Sequence, residues 1–567
     1  MVFTVVGLAA LFYSFMTCRP VGWRALLRNI RRMWIISRRI LSAALAVGFV
    51  CTAVCGPAIA AQKTLSTDIV IVGAGSAGLT AAVQAAEKGA NVVLLEKNFF
   101  VGGASNFAEG IFAVESELNR LRSDTLTREE AFKHAREMHM YEVNVPMMRD
   151  YIYGSADNVD WFMKHGVKFD VIRMTPWEEA TWHVIDEYKG KNHGAALVAN
   201  LKDQCDKLGV TTLTGTPAES LITDKSGAVV GVKAKSKTDD YTINAKAVIL
   251  ASGSISDSNE KVAEWAHRDA KHWHSSVNVN KTVKDDKITL TLPSGKTLDD
   301  NYYTITVTDN KGKTTAGIQR GPVSFVAHLS SEGKGIKLLS NVYTTAWQPA
   351  ALWVNSDGSR FVNEDVAMSF SQAANAVYTQ LGHTAWSIFD ESQVDYMIEK
   401  GVDSGVGVLV PVGAKLTKLK EEIKTALDEG SDSFFAASSV SAMAKKLGVP
   451  TKNLEAAVTA YNRGCAEGHD GEFFKDVKYM RPINTKKLYA IRLTSAFFTA
   501  FGGLNVNRDF EVLNTKNQPI KGLYATGLEV SRMIGHTYTT WTSGYAFGFS
   551  CYSGRHAALN AVEKMDL

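Results

Sequence analysis

The sequence has little cysteine, and none of it falls in a pattern. Six cysteines occur in 567 residues, and Cys18, Cys51 and Cys55 all precede residue 60. Cys205, Cys465 and Cys551 are scattered, which excludes a disulfide framework and thiolate metal-ligand spacing. No Cys-x-x-Cys-His occurs, so the chain attaches no c-type haem of its own. After residue 62 no apolar run is long enough to cross a bilayer. An excess of one charge is also missing. The net charge is +4, and much of the basic surplus lies before residue 40, at Arg19, Arg24, Arg28, Arg31, Arg32, Arg38 and Arg39. The remainder is near neutral and carries no footprint for nucleic acid. His272-Trp-His274 sits beside a segment of alternating polarity and reads as surface, so no metal is expected.

A chain that is 46% hydrophobic and 21% charged is globular, and its length is too great for one core. Two domains and a leader are expected. The leader, residues 1–60, reads as an export signal. Ser37-Arg38-Arg39 is its charged region, Ile40 to Val54 its apolar region, and Ala58-Ile-Ala60 its cleavage site. A start at Met33 gives this segment ordinary signal length, and Ser-Arg-Arg-Ile-Leu weakly resembles a twin-arginine signal. The mature protein would be exported or periplasmic, without a membrane span. The alternative is an N-terminal membrane anchor.

The strongest local signal is Asp68-Ile-Val-Ile-Val-Gly73-Ala-Gly75-Ser76-Ala77-Gly78, followed by Val92-Val-Leu-Leu-Glu96-Lys97. An apolar strand enters a Gly-x-Gly-x-x-Gly turn, an Ala-rich helical stretch follows (Leu79 to Glu87), and a second strand ends in a carboxylate. This order and spacing suit a dinucleotide. Gly73 permits the turn, Gly75 lets backbone approach a pyrophosphate, and Gly78 lets helix and strand pack closely. The helix N-terminus faces the phosphates, and Glu96 falls where an acid bonds ribose hydroxyls.

Further along, Gly102-Gly103-Ala104-Ser105-Asn106 is a second glycine-rich loop. Helical patterns run from Thr127 to Gly166, broken at Asn144-Val-Pro146. Val210 to Asn244 reads as strands with a hairpin turning at Asp224-Lys-Ser-Gly227. Ala247 to Gly253 is a buried strand and a small-residue turn. Residues 275–315 alternate apolar and polar and read as an inserted β-module. Residues 341–490 mix helices and short strands without nucleotide motifs. Pro519-Ile-Lys-Gly-Leu-Tyr-Ala-Thr-Gly527 returns to the style of the first part.

Taken together, these motifs and Asn355-Ser-Asp-Gly-Ser-Arg360-Phe-Val-Asn363-Glu364 resemble the FAD-dependent flavoprotein superfamily of fumarate reductase, urocanate reductase and 3-ketosteroid dehydrogenase. The resemblance covers roughly residues 66 to 560. It implies an α/β fold with an α+β cap, in which a Rossmann-like FAD-binding domain is split by a smaller cap domain. The first part is then 61–340, the cap 341–490, and the second part 491–567. It also implies FAD held by Gly73, Gly75, Ser76, Ala77, Gly78, Glu96, Lys97, Gly102, Gly103, Ala104, Ser105, Ala218, Ala251, Ser252, Gly253, Gly527, Leu528 and Ser543. Ser105-Asn106-Phe107 lacks the histidine used for covalent flavin, so the FAD is expected to be non-covalent.

The departures from the family pattern are equally informative. The arginine proton donor of fumarate reductases falls near Met368, and their substrate-carboxylate arginine falls at Trp541. A His-Pro setting has become Trp347-Gln348-Pro349. A dicarboxylate needs fixed cations, because unpaired buried carboxylates are costly. A true fumarate reductase is therefore not expected. Trp347, Tyr343, Met368 and Trp541 are candidates for a substrate pocket, with Tyr538 as proton donor and His536 as a carbonyl- or flavin-bonding group. Arg360 and Glu364 read as ties within the cap.

The expected activity is reduction of an activated C=C bond of a small aromatic or apolar enoate or enone. The family does this by hydride transfer from flavin N5 with protonation of the neighbouring carbon. Electrons would come from a separate cytochrome c or quinol-linked carrier. Two alternatives stay open: a ketosteroid-type dehydrogenase running the reverse reaction, and an FAD module that only passes electrons to a partner.

Overall fold

The computed structural model describes residues 61–174, 179–257, 273–275, 304–308, 314–319, 321–405, 407–535 and 538–565. The expected signal segment, most of the 275–315 insertion, His272 and His536 lie outside them.

Four consecutive β-branched residues form strand β1 (Ile69–Val72), and all four are buried. A strand apolar on both faces belongs inside a parallel sheet. It lies between β2 (Val92–Leu95) and β4 (Ala247–Leu250), with β3 (Thr211–Leu213) beyond β2. The C-terminal return strand, β6 (Pro519–Ala525), adds in parallel to β4, and β5 (Glu511–Leu513) caps that edge antiparallel. The register aligns Val72, Leu95 and Leu250 with one another and Leu250 with Ala525. The loops that begin at Gly73, Glu96, Ala251 and Thr526 therefore emerge together, at the carboxyl ends where open α/β sheets bind their ligands.

Helix α1 (Ser76–Glu87) starts three residues before the stretch read as helical, because its first turn consists of Ser76, Ala77 and Gly78. Gly78 belongs there for lack of a side chain: a Cβ would lie 1.8 Å from the Gly73 carbonyl oxygen. The small-residue C-terminal segment is helix α2 (Tyr545–Glu563), which packs along α1. At Gly554 a Cβ would lie 2.1 Å from the Ala77 carbonyl oxygen. Helix propensity alone favours Gly554→Ala by about 1 kcal/mol. The contact reverses that sign, and overpacking should lower stability by roughly 1–3 kcal/mol in thermal or urea unfolding.

A second sheet is organised on the 14-residue strand Leu488–Phe501. It pairs with Ser324–Ser330, Thr384–Asp390, Phe434–Ala437 and Trp273–Ser275, and Leu352–Asn355 adds beyond Thr384–Asp390. Its early residues join apolar clusters built from residues 329–483, Phe497 and Ala500 join one with Phe325, and Phe501 joins the cluster that holds β1. A single strand thus runs from the core around residues 340–460 to the core of the parallel sheet. Smaller pieces match the sequence pattern. Helices Arg128–Met138 and Val145–Lys164 are capped by the Thr127 and Asn144 side chains. The hairpin Ala218–Thr223 with Val229–Lys235 forms as expected. Of the insertion, Thr304–Thr308 and Thr314–Gln319 pair antiparallel.

Candidate active site

The carboxyl ends of the parallel strands hold a glycine-rich cleft of about 130 Å³, lined by Gly73, Gly75, Glu96, Gly103, Gly253 and Gly527 among others. Helix α1 opens onto it from Gly75, which has no side chain to cap it, and its first turn carries no acid. Such an end leaves N–H groups for an anion. The second glycine loop docks on the first. Gly102 N–H donates to the Ala74 carbonyl (2.8 Å), and Ser105 Oγ accepts from Ser76 N–H (3.0 Å). Glu96 is buried, and its two oxygens accept from the N–H groups of Ala74 (3.0 Å) and Asn98 (2.8 Å). Burial raises its pKa above the ordinary range, against the pull of those donors. At the return turn, Gly527 N–H donates to Ser553 Oγ (2.9 Å), and Ser252 bonds the Glu529 carboxylate through its N–H (2.9 Å) and its hydroxyl. Burial pushes the Glu529 pKa up to about 7. An uncapped helix end, glycines that a Cβ would obstruct, and an acid at the second strand form a donor set that fits an adenine dinucleotide such as FAD.

Of the expected cofactor residues, Gly73, Gly75, Ser76, Ala77, Glu96, Lys97, Gly102, Gly103, Ala104, Ser105, Ala251, Ser252, Gly253, Gly527 and Leu528 line this cleft. Gly78 lies behind it, packed on Gly73. Ala218 does not line it. It starts a hairpin strand opposite Ala234 and is buried there. Ser543 lines the adjoining cavity instead.

That adjoining cavity, about 310 Å³, shares Ser76, Ala104, Ser105, Phe498, Thr499, Leu528 and Ser550 with the cleft. Its walls are aromatic: Phe107, Trp182, Tyr343, Trp347, Phe370, Phe498 and Phe547. Among the described residues, its lining contains no arginine or lysine. Tyr538 lies in the wall, half-buried, and its oxygen accepts from the Ala546 N–H at 3.4 Å. Burial pushes its pKa up to about 12. Tyr343 and Trp347 are fully buried beside it, with ring centroids 5.8 Å apart. The Tyr343 hydroxyl is committed to the Leu329 carbonyl (3.1 Å), so this residue offers its ring.

Two residues expected in the pocket lie elsewhere. The Trp541 ring packs on His134 at 4.9 Å, and its carbonyl accepts from the Thr181 hydroxyl. Met368 ends the short helix Glu364–Met368, outside the lining. His536 lies outside the described residues. Gln348 is buried and pins the loop at Asp403–Ser404 through both its amide atoms. Arg360 forks onto both Glu364 and Asp470, away from the cavity.

The sequence reading missed Glu109, Trp182, His328, Phe370 and Phe498. His328 is fully buried on Ser324–Ser330 and stacks on Phe498 at 3.9 Å. Glu109 carried a usable signal, as the one charge inside Asn106-Phe-Ala-Glu-Gly-Ile-Phe112. The others look like ordinary strand or helix residues. Among the described residues, no group of three or more His, Cys, Asp or Glu could hold a metal ion, and no helix is long and apolar enough to cross a membrane.

The profile of a family described as an FAD binding domain matches residues 68–540. The chain is 34% identical over 500 residues to a vinyl phenol reductase of Lactiplantibacillus plantarum, covering 88% of this chain and 97% of that protein. It is 26% identical over 483 residues to a urocanate reductase of Eggerthella lenta, covering 83% and 71%. Among solved structures, a 3-ketosteroid Δ1-dehydrogenase from Sterolibacterium denitrificans superposes with TM-score 0.66 at 18% identity, covering 88% of this chain and 100% of that one. An open flavocytochrome c3 fumarate reductase gives 0.61 at 24%, covering 88% and 78%.

Proposed function

This chain belongs to the FAD-binding-domain family of fumarate reductase-like flavoproteins and is an FAD-dependent oxidoreductase acting on carbon–carbon bonds, and from that premise we propose that it reduces an alkene conjugated to a phenolic ring. The observation that carries the reading is the cavity beside the glycine cleft, rich in aromatic side chains and without arginine or lysine among its described lining residues. A dicarboxylate would find no arginine or lysine among those described residues to offset its charge. A flat aryl alkene suits stacked rings, which prefer offset and edge contacts. The similarity to a vinyl phenol reductase along nearly its whole length supports the same class.

When bound, FAD supplies the hydride at its N5 position. The cradle residues would hold it non-covalently, with Gly75 and the α1 N-terminus at the pyrophosphate and Glu96 at the ribose. Tyr538 keeps its proton at neutral pH and holds it against the cavity, as a general acid toward the alkene carbon must. Residues 341–490 act as the cap, since Tyr343, Trp347 and Phe370 come from that stretch. The leader supports export, with electrons arriving from a separate cytochrome c or quinol-linked carrier.

The test is anaerobic. The purified flavoprotein is reduced chemically, and reoxidation is followed with vinyl phenols, cinnamates, enones, urocanate and fumarate. Vinyl phenols should reoxidise it fastest, and faster turnover with fumarate would overturn the reading. Tyr538→Phe should slow reoxidation by roughly 10²- to 10⁴-fold with the flavin still bound. Wild-type turnover would remove Tyr538 as the acid.

A further inference from the structure

We propose that Glu109 receives the hydroxyl group of the substrate, so that the cavity selects hydroxyaryl alkenes over O-alkylated or unsubstituted ones; this rests on the alkene-reductase reading above. Glu109 stands between the second glycine loop and the strand Gly110–Phe112. Its backbone is set by the Ile185 N–H, which donates to its carbonyl at 3.1 Å. Its side chain lines the aromatic cavity. One carboxylate oxygen, Oε2, abuts Gly407, where an added Cβ would approach it to 2.5 Å and the Trp182 ring to 2.6 Å. The Val408 N–H also donates to the carboxylate. The other oxygen, Oε1, is buried and has no partner among the described residues.

Two further residues of the same lining carry such an atom. Trp182 and Trp347 are 4% and 2% exposed, and their indole Nε1–H groups have no acceptor among the described residues. Buried polar atoms almost always find partners, so three without one around a single apolar cavity call for a polar ligand. A hydroxyl meets both needs. It donates to a carboxylate oxygen and accepts from an indole N–H. A carbonyl would leave Oε1 bare unless Glu109 carried the proton. Burial pushes the Glu109 pKa up to about 7. The other titratable side chains in the lining are His328, Tyr343 and Tyr538.

The chemistry gives the contact a purpose. An alkene on a phenol has no carbonyl to draw electrons from it. When Tyr538 passes its proton to the terminal carbon, the alkene π pair forms the new C–H bond. The hydroxyl O–H then breaks toward Glu109 Oε1, and its electron pair becomes the C=O of a quinone methide. That species is neutral and electrophilic at the benzylic carbon. Its two-electron reduction, which is the activity itself, restores the ring, and Glu109 returns the proton to oxygen. Tyr538 is reprotonated from solvent.

The test is calorimetric titration of the oxidised flavoprotein with 4-ethylphenol, 4-ethylanisole and ethylbenzene. Wild type should prefer 4-ethylphenol by roughly 100-fold or more, because a site built around a hydroxyl rejects the analogue lacking it. In Glu109→Leu the three should bind within about threefold of one another, with flavin content and thermal stability unchanged or improved. Glu109→Gln, which keeps an acceptor, should fall between, and it carries the test if the leucine variant does not fold. Selectivity undiminished from wild type in either variant would overturn the proposal. So would a wild type that reduces enones or cinnamates but shows no hydroxyl preference, and that outcome leaves the reductase reading intact. A Glu109-dependent preference in a protein that reduces no alkene would sink the reductase reading alone.

Discussion

Gly75→Val is expected to yield a folded protein that purifies without its flavin. Gly75 has φ −73° and ψ −175°, an extended backbone open to any residue, and a Cβ there would meet nothing nearer than 3.8 Å. Its space is not empty by accident: the residue lines the glycine cleft at the start of an uncapped helix. A valine side chain would fill the approach that a pyrophosphate needs. Roughly 100-fold weaker FAD binding, about 2.8 kcal/mol, is the expected scale. The flavin-to-protein absorbance ratio after gel filtration measures it, with circular dichroism reporting the fold. The neighbouring glycines provide the contrast. At Gly73 φ is +103° and a Cβ would lie 2.3 Å from the Ala251 carbonyl oxygen, and at Gly78 the corresponding approach is 1.8 Å. Substitution at either should cost the fold itself. Full flavin content in Gly75→Val would remove the cleft as the pyrophosphate site.

Arg360→Met is expected to be the most destabilising single change distant from the cavity. The guanidinium is buried and bonds both oxygens of Glu364 (2.9 and 2.7 Å) and both of Asp470 (2.8 and 2.7 Å). Lys475 joins Glu364 at 3.3 Å from the other side. Removing the arginine leaves the Asp470 carboxylate without its cation and Glu364 with Lys475 alone. Breaking a buried ion pair by deleting one partner costs about 3–5 kcal/mol. Unfolding followed by circular dichroism should register that loss, while the protein that remains folded in the cold should keep its turnover.

The same network predicts acid sensitivity. Burial pushes the Asp470 carboxyl up, but the Arg360 guanidinium and the Lys475 N–H outweigh it and hold the pKa well below the usual carboxylate range. A carboxylate depressed in the fold stabilises fully above its unfolded pKa of about 4, and loses that contribution as pH falls below it. The stability gap between wild type and Arg360→Met should therefore narrow below about pH 4. A gap unchanged down to pH 2 would contradict the assignment.

Legibility in the sequence followed locality. The Gly73-to-Glu96 unit was readable because a strand, a turn, a helix and an acid lie within 30 residues and each glycine answers a backbone need. The role of Arg360 and Glu364 as ties was readable for the same reason, since they sit four apart on one short motif. Asp470 and Lys475 were not, because they approach from more than 100 positions away. Trp541 and Met368 were assigned to the pocket by counting from motifs. In the folded chain the Thr539 hydroxyl caps a short turn at Thr540–Thr542, and the indole lies on His134. Glu109 was overlooked because its environment comes from Trp182 and Gly407, distant in the chain.

By itself, then, the sequence determined the cofactor class, the parallel sheet around β1 and, through the resemblance, the loss of the family's arginines. Those features depend on residue identity and short spacing, which local sterics translate directly into backbone shape. Only the tertiary structure decided what replaces those arginines. A pocket is made by side chains that meet across long sequence separations, and the burial that raises the Glu109 carboxyl and the Tyr538 phenol above their ordinary pKa values exists only once those walls have closed around them.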